Sequence, residues 1–273
     1  MRLDTVWEAP RAGRPLVHAI TNPVTINDCA NVILAAYAAP TMAQDPREVA
    51  GITAAAGALL LNLGAVRARR AIETAAGTAA EKGIPIIVDP VAVGVSEVRR
   101  AQAKRLLDRG QVTVLRGNAS EIRALAEGRA GGRGVEASAA DRVTSENARA
   151  VAARLAPFAA AQGLVVCQSG AIDLVTDGRQ TAFIEGGHPF MSRITGAGCM
   201  LSALTAALCA GTPDAPFDAA VTAVCAMKVC AGRAGEKAEK RGEGTASFRT
   251  YLIDALSLLD GRTLAAEAAF TLA

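Results

Sequence analysis

The segment RITGAGCM, residues 193–200, brings two glycines and a cysteine to the start of a helix-forming run. The first N–H groups of a helix lack partners within the helix and carry a partial positive charge, and glycines before them let an anion approach closely. We therefore predict an anion hole at Gly196, Ala197 and Gly198. The thiol of Cys199 follows directly and is the candidate catalytic group. The alternative is a glycine turn followed by a buried structural cysteine.

Two carboxylates and an arginine follow apolar runs that are predicted to be strands. Asp89 ends the run IPIIVDP, and RGNASEI contains Arg116, Asn118 and Glu121. An acid pair with an arginine suits the binding of Mg²⁺ and a polyphosphate. We therefore predict Asp89 and Glu121 as metal ligands. The spacing of Asn118 and Glu121 also fits a helix capping box, and Asp89 also fits a cap or turn before proline.

Four further residues fit a functional role, a structural role or both. Ser169, in SGAID, can donate a hydrogen bond to a phosphate or cap a turn. Met42, in APTMAQDPREV, is a candidate ligand contact, although a single methionine is typical of core packing. Asn22 precedes a proline and a predicted helix, and His18 fits a hydrogen-bonded structural histidine better than a catalyst.

The elements that position these residues alternate between short apolar runs and longer helical segments. Strands are predicted at 58–64, 84–90, 112–118 and 164–170, and helices at 66–82, 96–108, 141–161, 197–211, 217–234 and 247–260. Residues 171–187 are predicted to form a hairpin that turns at Asp177 and Gly178. Glycine-rich segments at 126–142 and 236–247 are predicted to be surface loops, the second a mobile one.

This alternation indicates an α/β fold whose parallel sheet carries helices on both faces. Ligands bind at the carboxyl ends of the strands in such sheets. The polar residues expected at that edge are Asn62, Asp89, Arg116, Asn118, Gln168 and Ser169. They would suit a charged ligand, because they include a cation, an acid and several hydrogen-bonding groups.

Composition excludes several other classes of protein. The 273 residues contain no linker that would divide them, so we expect one domain over 1–273. A net charge of +3 and an aromatic content of 3% disfavour nucleic-acid binding. The sequence shows no secretory signal and no apolar run of about 18 residues, so we expect no membrane segment and a cytoplasmic location. Six cysteines without a C-x-x-C pair predict reduced thiols, and two histidines disfavour zinc.

Several motifs, in this order and at these spacings, resemble the hydroxyethylthiazole kinase family of the ribokinase-like superfamily. They are HAITNPVTINDCAN, PTMA, GALLLNLG, VDPVAVG, LRGNASEI, RGVEAS, QSGAIDLVTDG and TGAGCMLSAL. The resemblance implies a three-layer α/β/α fold with a mostly parallel sheet and no lid domain. It also implies that ATP phosphorylates the primary alcohol of 4-methyl-5-(2-hydroxyethyl)thiazole, in thiamine salvage. EGTASF stands where relatives often have GPGSF, so the ATP contacts of the loop at 241–247 stay open.

The resemblance also assigns roles to individual residues. It places Met42, Gly196 and Asn22 at the thiazole, Arg116, Ser169 and Asn118 at ATP, and Asp89 and Glu121 near Mg²⁺. It matches Cys199 to a position where most ribokinase-like kinases carry an aspartate. A helix N-terminus lowers the pKa of a thiol, which allows a partial thiolate at neutral pH, although a bound triphosphate would oppose it. We expect Cys199 mainly to orient the hydroxyl, with modest base assistance. The family also implies a homotrimer with active sites at the subunit interfaces.

Three other functions stay open at this point. One is a kinase for another small alcohol, such as a hydroxymethylpyrimidine, although the segments around Asn22 and Met42 favour the thiazole. Another is a ribokinase-like lyase that repairs hydrated nicotinamide cofactors, whose glycine turn carries an aspartate where this chain has Cys199. The last is a non-catalytic binding protein, which the joint presence of the two acids, the arginine and the cysteine disfavours.

Overall fold

The computed structural model describes residues 1–128, 143–144 and 146–273. Its strands in this part of the chain are β1 (Leu16–Ile20), β2 (Ala39–Thr41), β3 (Ala58–Asn62), β4 (Ile86–Asp89), β5 (Val114–Asn118), β6 (Val165–Ser169), β7 (Asp173–Thr176), β8 (Thr181–Ile184) and β9 (Phe270–Leu272). They form a sheet in the order β2-β1-β3-β4-β5-β6-β7-β8-β9. Neighbouring strands are parallel from β2 to β6 and antiparallel from β6 to β9.

Helices cover both faces of this sheet. They are α1 (Leu3–Gly13), α2 (Ile26–Ala35), α3 (Val49–Ala54), α4 (Arg69–Lys82), α5 (Glu97–Asp108), α6 (Ala119–Ala126), α7 (Ala148–Gln162), α8 (Ala197–Gly211), α9 (Pro216–Lys240), α10 (Thr245–Leu258) and α11 (Gly261–Glu267). Alternate strand residues point to opposite faces, so Leu60 belongs to the core shared with α1, α2 and α8–α11, and Leu59 belongs to the core shared with α3–α7. The predicted three-layer α/β/α arrangement is confirmed.

The strands and helices that flank the predicted site lie close to their predicted positions. Each predicted central strand is present and is two or three residues shorter than predicted, and α8 begins at Ala197 as predicted. The predicted hairpin is β7 and β8, which turn through Asp177 and Gly178. Helix α7 begins at Ala148, and residues 141–142 and 145 of the predicted helix lie outside the described residues. Residues 129–142 also lie outside the described residues. They include most of the predicted loop at 126–142 and the whole RGVEAS motif.

The prediction of a mobile loop at 236–247 is wrong for most of these residues, which are helical. Helix α9 continues to Lys240 and α10 starts at Thr245, so residues 241–244 connect them. The reason is that EKAEK consists of good helix formers. Glu236 and Lys240 form an ion pair one turn apart at 3.5 Å, and Ala238 is buried in the core. The glycines that follow mark the end of the helix rather than a long loop.

The buried polar groups and thiols agree with the sequence analysis. The six cysteines are free, five of them buried and Cys199 partly buried, which confirms the prediction of reduced thiols. His18 is buried, with Nδ1 at 2.8 Å from the hydroxyl of Thr53 and Nε2 at 3.0 Å from the carbonyl of Ala43, so its structural role is confirmed. Among the helices that the structure describes, none is long and apolar enough to cross a membrane.

Candidate active site

Four parallel strands end at one edge of the sheet, and their polar side chains meet there as predicted. Asn62 at the end of β3 is in register with Asp89 at the end of β4, and Asn118 of β5 is in register with Ser169 of β6. The amide Nδ2 of Asn62 donates a hydrogen bond to Oδ2 of Asp89 at 3.1 Å. The strand register therefore brings residues far apart in sequence into one polar row.

Asp89 lies at the bottom of this row, only 1% exposed. Its Oδ2 also accepts a hydrogen bond from the hydroxyl of Ser202 in α8, at 2.8 Å. Burial raises the pKa of Asp89, although the charge of Arg116 and these hydrogen bonds oppose the rise. An ionised carboxylate in this place is costly, and a cation beside it would offset the cost.

Glu121 and Asn118 form the capping box that their spacing allows. Oδ1 of Asn118 accepts the N–H of Glu121 at 2.9 Å, and Oε2 of Glu121 accepts the N–H of Asn118 at 2.9 Å. Oε1 of Glu121 accepts the N–H of Ala92 at 2.8 Å, which ties α6 to the loop after β4. Burial, followed by the negative charge of Asp89, raises the pKa of Glu121 to about 7. The capping role is therefore confirmed, and each carboxylate oxygen keeps a second lone pair for another ligand.

Arg116 is buried between Ser169 and the start of α8. Its Nη2 donates to the hydroxyl of Ser169 at 2.7 Å. A Cβ at Gly198 would lie 2.5 Å from its Nη1, so this glycine is needed for the close approach. Its buried Nε has no hydrogen-bond partner within the described part of the chain, and neither has Nε2 of Gln168. Burial disfavours the charged form of Arg116, but the charge of Asp89 and those of its other acidic neighbours, Glu121 among them, together outweigh burial and raise the pKa of Arg116.

The N-terminus of α8 has the geometry expected of an anion hole. Gly196 caps the helix with a φ of +85°, a conformation that favours glycine, and a Cβ there would lie 2.7 Å from Cγ2 of Thr25. The carbonyl of Gly196 accepts the N–H of Met200 at 2.8 Å, and the N–H groups before Met200 precede the first helical acceptor. Ala197 and Gly198 line an adjoining cavity.

This cavity has a volume of about 710 Å³, within the range of small-molecule sites. Arg116, Ser169, Ala197 and Gly198 lie along it, together with Lys228 of α9. Its size, together with the unpartnered Nε of Arg116, favours a large anionic ligand at this place.

A buried ion pair that was not predicted from the sequence lies in this cavity. Nζ of Lys228 lies 3.4 Å from Oδ1 of Asp173 and 3.3 Å from each of the carbonyl oxygens of Gly170 and Ala171. Asp173 in turn accepts the N–H of Gly170 at 2.7 Å. The pair thus holds the turn that follows Ser169. The signal available in the sequence is a single lysine within the apolar run AAVTAVCAMKVCA.

Cys199 lies on the side of α8 that faces β1 and β3. Its Sγ is 3.2 Å from Nδ2 of Asn62 and 3.6 Å from Nδ2 of Asn22. Burial, and then the charge of Asp89, raises the pKa of Cys199 to about 11, although hydrogen bonds from Thr25 and Asn62 oppose the rise. Loss of hydration thus outweighs the helix N-terminus, and the structure does not support the partial thiolate that the helix start allows. The thiol is neutral at physiological pH.

Met42 follows the edge strand β2 and is half-buried. It packs against the same apolar core as the partly buried Cys199. The segment around it is tied to β1, since Nε2 of Gln44 donates to the carbonyl of Thr21 at 2.7 Å and His18 contacts the carbonyl of Ala43. The structure therefore places Met42 on the β1 side of the sheet, and its contact with a ligand stays a prediction.

The chain is similar to known proteins over most of its length. The model of the hydroxyethylthiazole kinase family matches residues 8–261. A hydroxyethylthiazole kinase of Clostridium acetobutylicum is 42% identical over 96% of this chain and 95% of its own length, and one of Methanoculleus marisnigri is 44% identical over 95% and 90%.

Solved structures give the same result for the fold. The hydroxyethylthiazole kinase of Pyrococcus horikoshii OT3 superposes with a TM-score of 0.86 at 30% identity, covering 99% of this chain and 98% of that one. A pyridoxal kinase of Bacillus subtilis, solved as an ADP complex, superposes at 0.55 over 78% and 91% of the two chains; at 18% identity it supports the fold alone. With a family match across most of its length and relatives above 40% identity, this chain belongs to the hydroxyethylthiazole kinase family.

Proposed function

We propose that this chain transfers the γ-phosphoryl group of ATP to the primary hydroxyl of 4-methyl-5-(2-hydroxyethyl)thiazole. The products are ADP and the thiazole monophosphate, a step of thiamine salvage. The observation that carries the proposal is the position of the α8 N-terminus. Its first turn borders the 710 Å³ cavity through Ala197 and Gly198, and its next residue, Cys199, faces Asn22 and Asn62 on the other side. A phosphoryl group held there lies between a nucleotide and an alcohol.

The nucleotide occupies the cavity in this proposal. Arg116, held by Ser169, places its guanidinium against Gly198, where phosphate oxygens would meet it and its unpartnered Nε. Asn118 ends the neighbouring strand and keeps α6 in place through its capping box. The N–H groups at Gly196, Ala197 and Gly198 supply further donors to the transferring group. Phosphoryl transfer leaves the protein mostly positioning and charge stabilisation, which these groups provide.

Asp89 and Glu121 would hold Mg²⁺. Their carboxylates are close enough for the charge of Asp89 to raise the pKa of Glu121, which fits a place that gains a cation. In the ranges that the structure describes, no group of three or more His, Cys, Asp or Glu side chains suits a metal. That agrees with Mg²⁺, which takes one or two carboxylates and otherwise phosphate oxygens and water. When bound, the ion would neutralise charge on the phosphates.

The acceptor side is formed by Asn22, Met42, Gly196 and Cys199 in this proposal. The neutral thiol accepts hydrogen bonds from two amides and can orient the hydroxyl without removing its proton beforehand. Late loss of the proton is compatible with a loose transition state.

We also propose that residues 1–273 act as one kinase domain within a homotrimer whose thiazole pocket is completed by a neighbouring subunit. Two exposed apolar side chains in the segment that follows Asn22 support an apolar contact surface there. Val24 is 69% exposed beside Asn22, and Leu34 is 53% exposed on α2. Light scattering of the purified protein tests the assembly, and a monomer with full activity would contradict it.

The proposal is tested by ADP release from the purified protein with ATP and Mg²⁺ against a panel of small alcohols. The panel contains hydroxyethylthiazole and hydroxymethylpyrimidine, and Asp89→Asn serves as the inactive control. Turnover with the thiazole, lost in the control, supports the proposal. Turnover with the pyrimidine alone would overturn the substrate, and ATP binding without turnover of any alcohol would overturn the kinase assignment.

A further inference from the structure

One wall of the cavity is a segment that contains none of the proposed site residues. Residues 186–193 run from the end of β8 to the glycine turn before α8, and Gly187, His188, Pro189 and Met191 line the cavity. Gly186 and Gly187 have φ values of +105° and +87°, and glycine has more backbone conformations available than other residues. The start of the segment therefore does not fix its own conformation. Something outside the segment must therefore hold it in one place.

The imidazole of His188 is the part of this segment that is most closely enclosed. It lies in a slot over Gly235 of α9, where a Cβ would come within 2.1 Å of the ring. The ring centroid is 5.9 Å from that of Phe248, a fully buried residue of α10. Its Nε2 lies 3.3 Å from Oε1 of Glu239, and its Nδ1 accepts the N–H of Phe190 at 3.3 Å.

These contacts act together on one ring. The ring occupies space that exists only because residue 235 has no side chain, and its two nitrogens join α9 to the segment's own backbone. The aromatic ring of Phe190 packs edge-on against the imidazole at 4.8 Å between centroids. Displacing the ring would therefore release Pro189 and Met191, which follow it along the cavity wall.

We propose that His188 is a positioning residue for the nucleotide, which fixes residues 186–193 so that Pro189 and Met191 form the wall against which the purine base of ATP lies. A flat, soft wall of this kind suits a planar base, and methionine sulfur packs favourably on aromatic rings. The inference rests on the proposed function, since it takes the cavity as the nucleotide site. The phosphate end of the same cavity is the part bordered by Arg116 and Gly198.

Two variants displace the ring by independent routes. His188→Ala removes it, whereas Gly235→Ala keeps it and fills its slot. Gly232→Ala is the matched control, because it makes the same change one turn earlier in α9, where a Cβ would meet only the carbonyl of Gly187 at 4.0 Å. ATP affinity is measured by calorimetry, and kcat and both KM values are measured in the thiazole assay.

We expect His188→Ala and Gly235→Ala each to weaken ATP binding and raise the KM for ATP by roughly five- to tenfold, the effect of one lost base contact. The KM for the thiazole and kcat should stay within about twofold of wild type, as for loss of ground-state binding alone. Gly232→Ala should leave ATP binding unchanged. In the double variant, Gly235→Ala should add nothing to His188→Ala, because the ring it displaces is gone.

Unchanged ATP affinity in both variants would overturn the inference, and so would additive effects accompanied by a lower kcat, which indicate general damage to α9. Because ATP binding is measured without the alcohol, the outcome is separate from that of the proposed function. A wild-type protein that binds ATP but does not phosphorylate the thiazole would contradict the proposed reaction. Calorimetry on the variants would still test whether residues 186–193 contact the base. A wild type that binds no ATP would overturn both.

Discussion

Replacing Cys199 by alanine distinguishes a thiol that orients the acceptor from a thiolate that removes its proton. With the pKa of Cys199 raised to about 11 by burial and then by the charge of Asp89, the thiolate fraction at pH 7.5 is roughly three in ten thousand. A neutral thiol contributes at most about one hydrogen bond, roughly 0.5–1.5 kcal/mol, so Cys199→Ala is expected to lower kcat by about three- to tenfold. General-base catalysis would be worth roughly 10²–10⁴-fold.

The assay is kcat at saturating ATP and thiazole from about pH 8 to about pH 10, above the range in which Glu121 titrates. Because the orienting role does not depend on ionisation, the profiles of wild type and Cys199→Ala should run parallel. A base that acts as thiolate would give a wild-type kcat that rises about tenfold per pH unit, while the variant stays flat. That divergence would show that Cys199 acts as a thiolate base. Cys209→Ala, which removes a fully buried thiol from the same helix, controls for the loss of packing.

Three further predictions concern the carboxylates, the anion hole and the buried ion pair. Without Mg²⁺, the free energy of unfolding of wild type relative to Glu121→Gln should fall as the pH rises from 4.5 to about 7, because burial raises the pKa of Glu121 over that interval. The fall is about 3 kcal/mol in urea titrations, and a pH-independent difference would contradict it. Gly198→Ala should raise the KM for ATP at least about tenfold, because the new Cβ displaces Arg116. An ATP titration that shows unchanged affinity would contradict this. Lys228→Met should cost about 3–5 kcal/mol of stability by leaving Asp173 unpaired, and adding Asp173→Asn should recover most of it; equal losses in both variants would be evidence against the pair.

The centre of the sheet and the edge where the site forms are predictable from sequence because local and global preferences agree there. Each of β3 to β6 is an apolar run that ends in a polar residue, so the run indicates the strand and its last residue indicates the ligand edge. The start of α8 is marked by glycines followed by a strong helix former. The capping box of Asn118 and Glu121 is purely local, and the structure contains it as its spacing indicates.

Other features depend on contacts between distant parts of the chain. The pKa of Cys199 is set by burial and by Asp89, 110 residues away, whereas the sequence shows only the helix start. The slot at Gly235 exists because His188 packs onto α9 from 47 residues earlier. Strands β2 and β9 have three residues each, too few for a periodic pattern, and they are defined by their neighbours in the sheet.

The neutral state of Cys199 is consistent with the charges that surround it. Asp89 and Glu121 already place two carboxylates near the start of α8; burial raises the pKa of both, and the charge of Asp89 adds to the rise for Glu121. A third negative group at position 199 would lie beside Asp89 and, in the proposed reaction, next to the transferring phosphoryl group, so it would repel both. A thiol held by the amides of Asn62 and Asn22 gives the acceptor hydroxyl a partner without adding charge. The amide of Asn62 contacts both Asp89 and Cys199, so the proposed metal side and the proposed acceptor side share one fixed group, and the strand register of β3 and β4 sets their spacing.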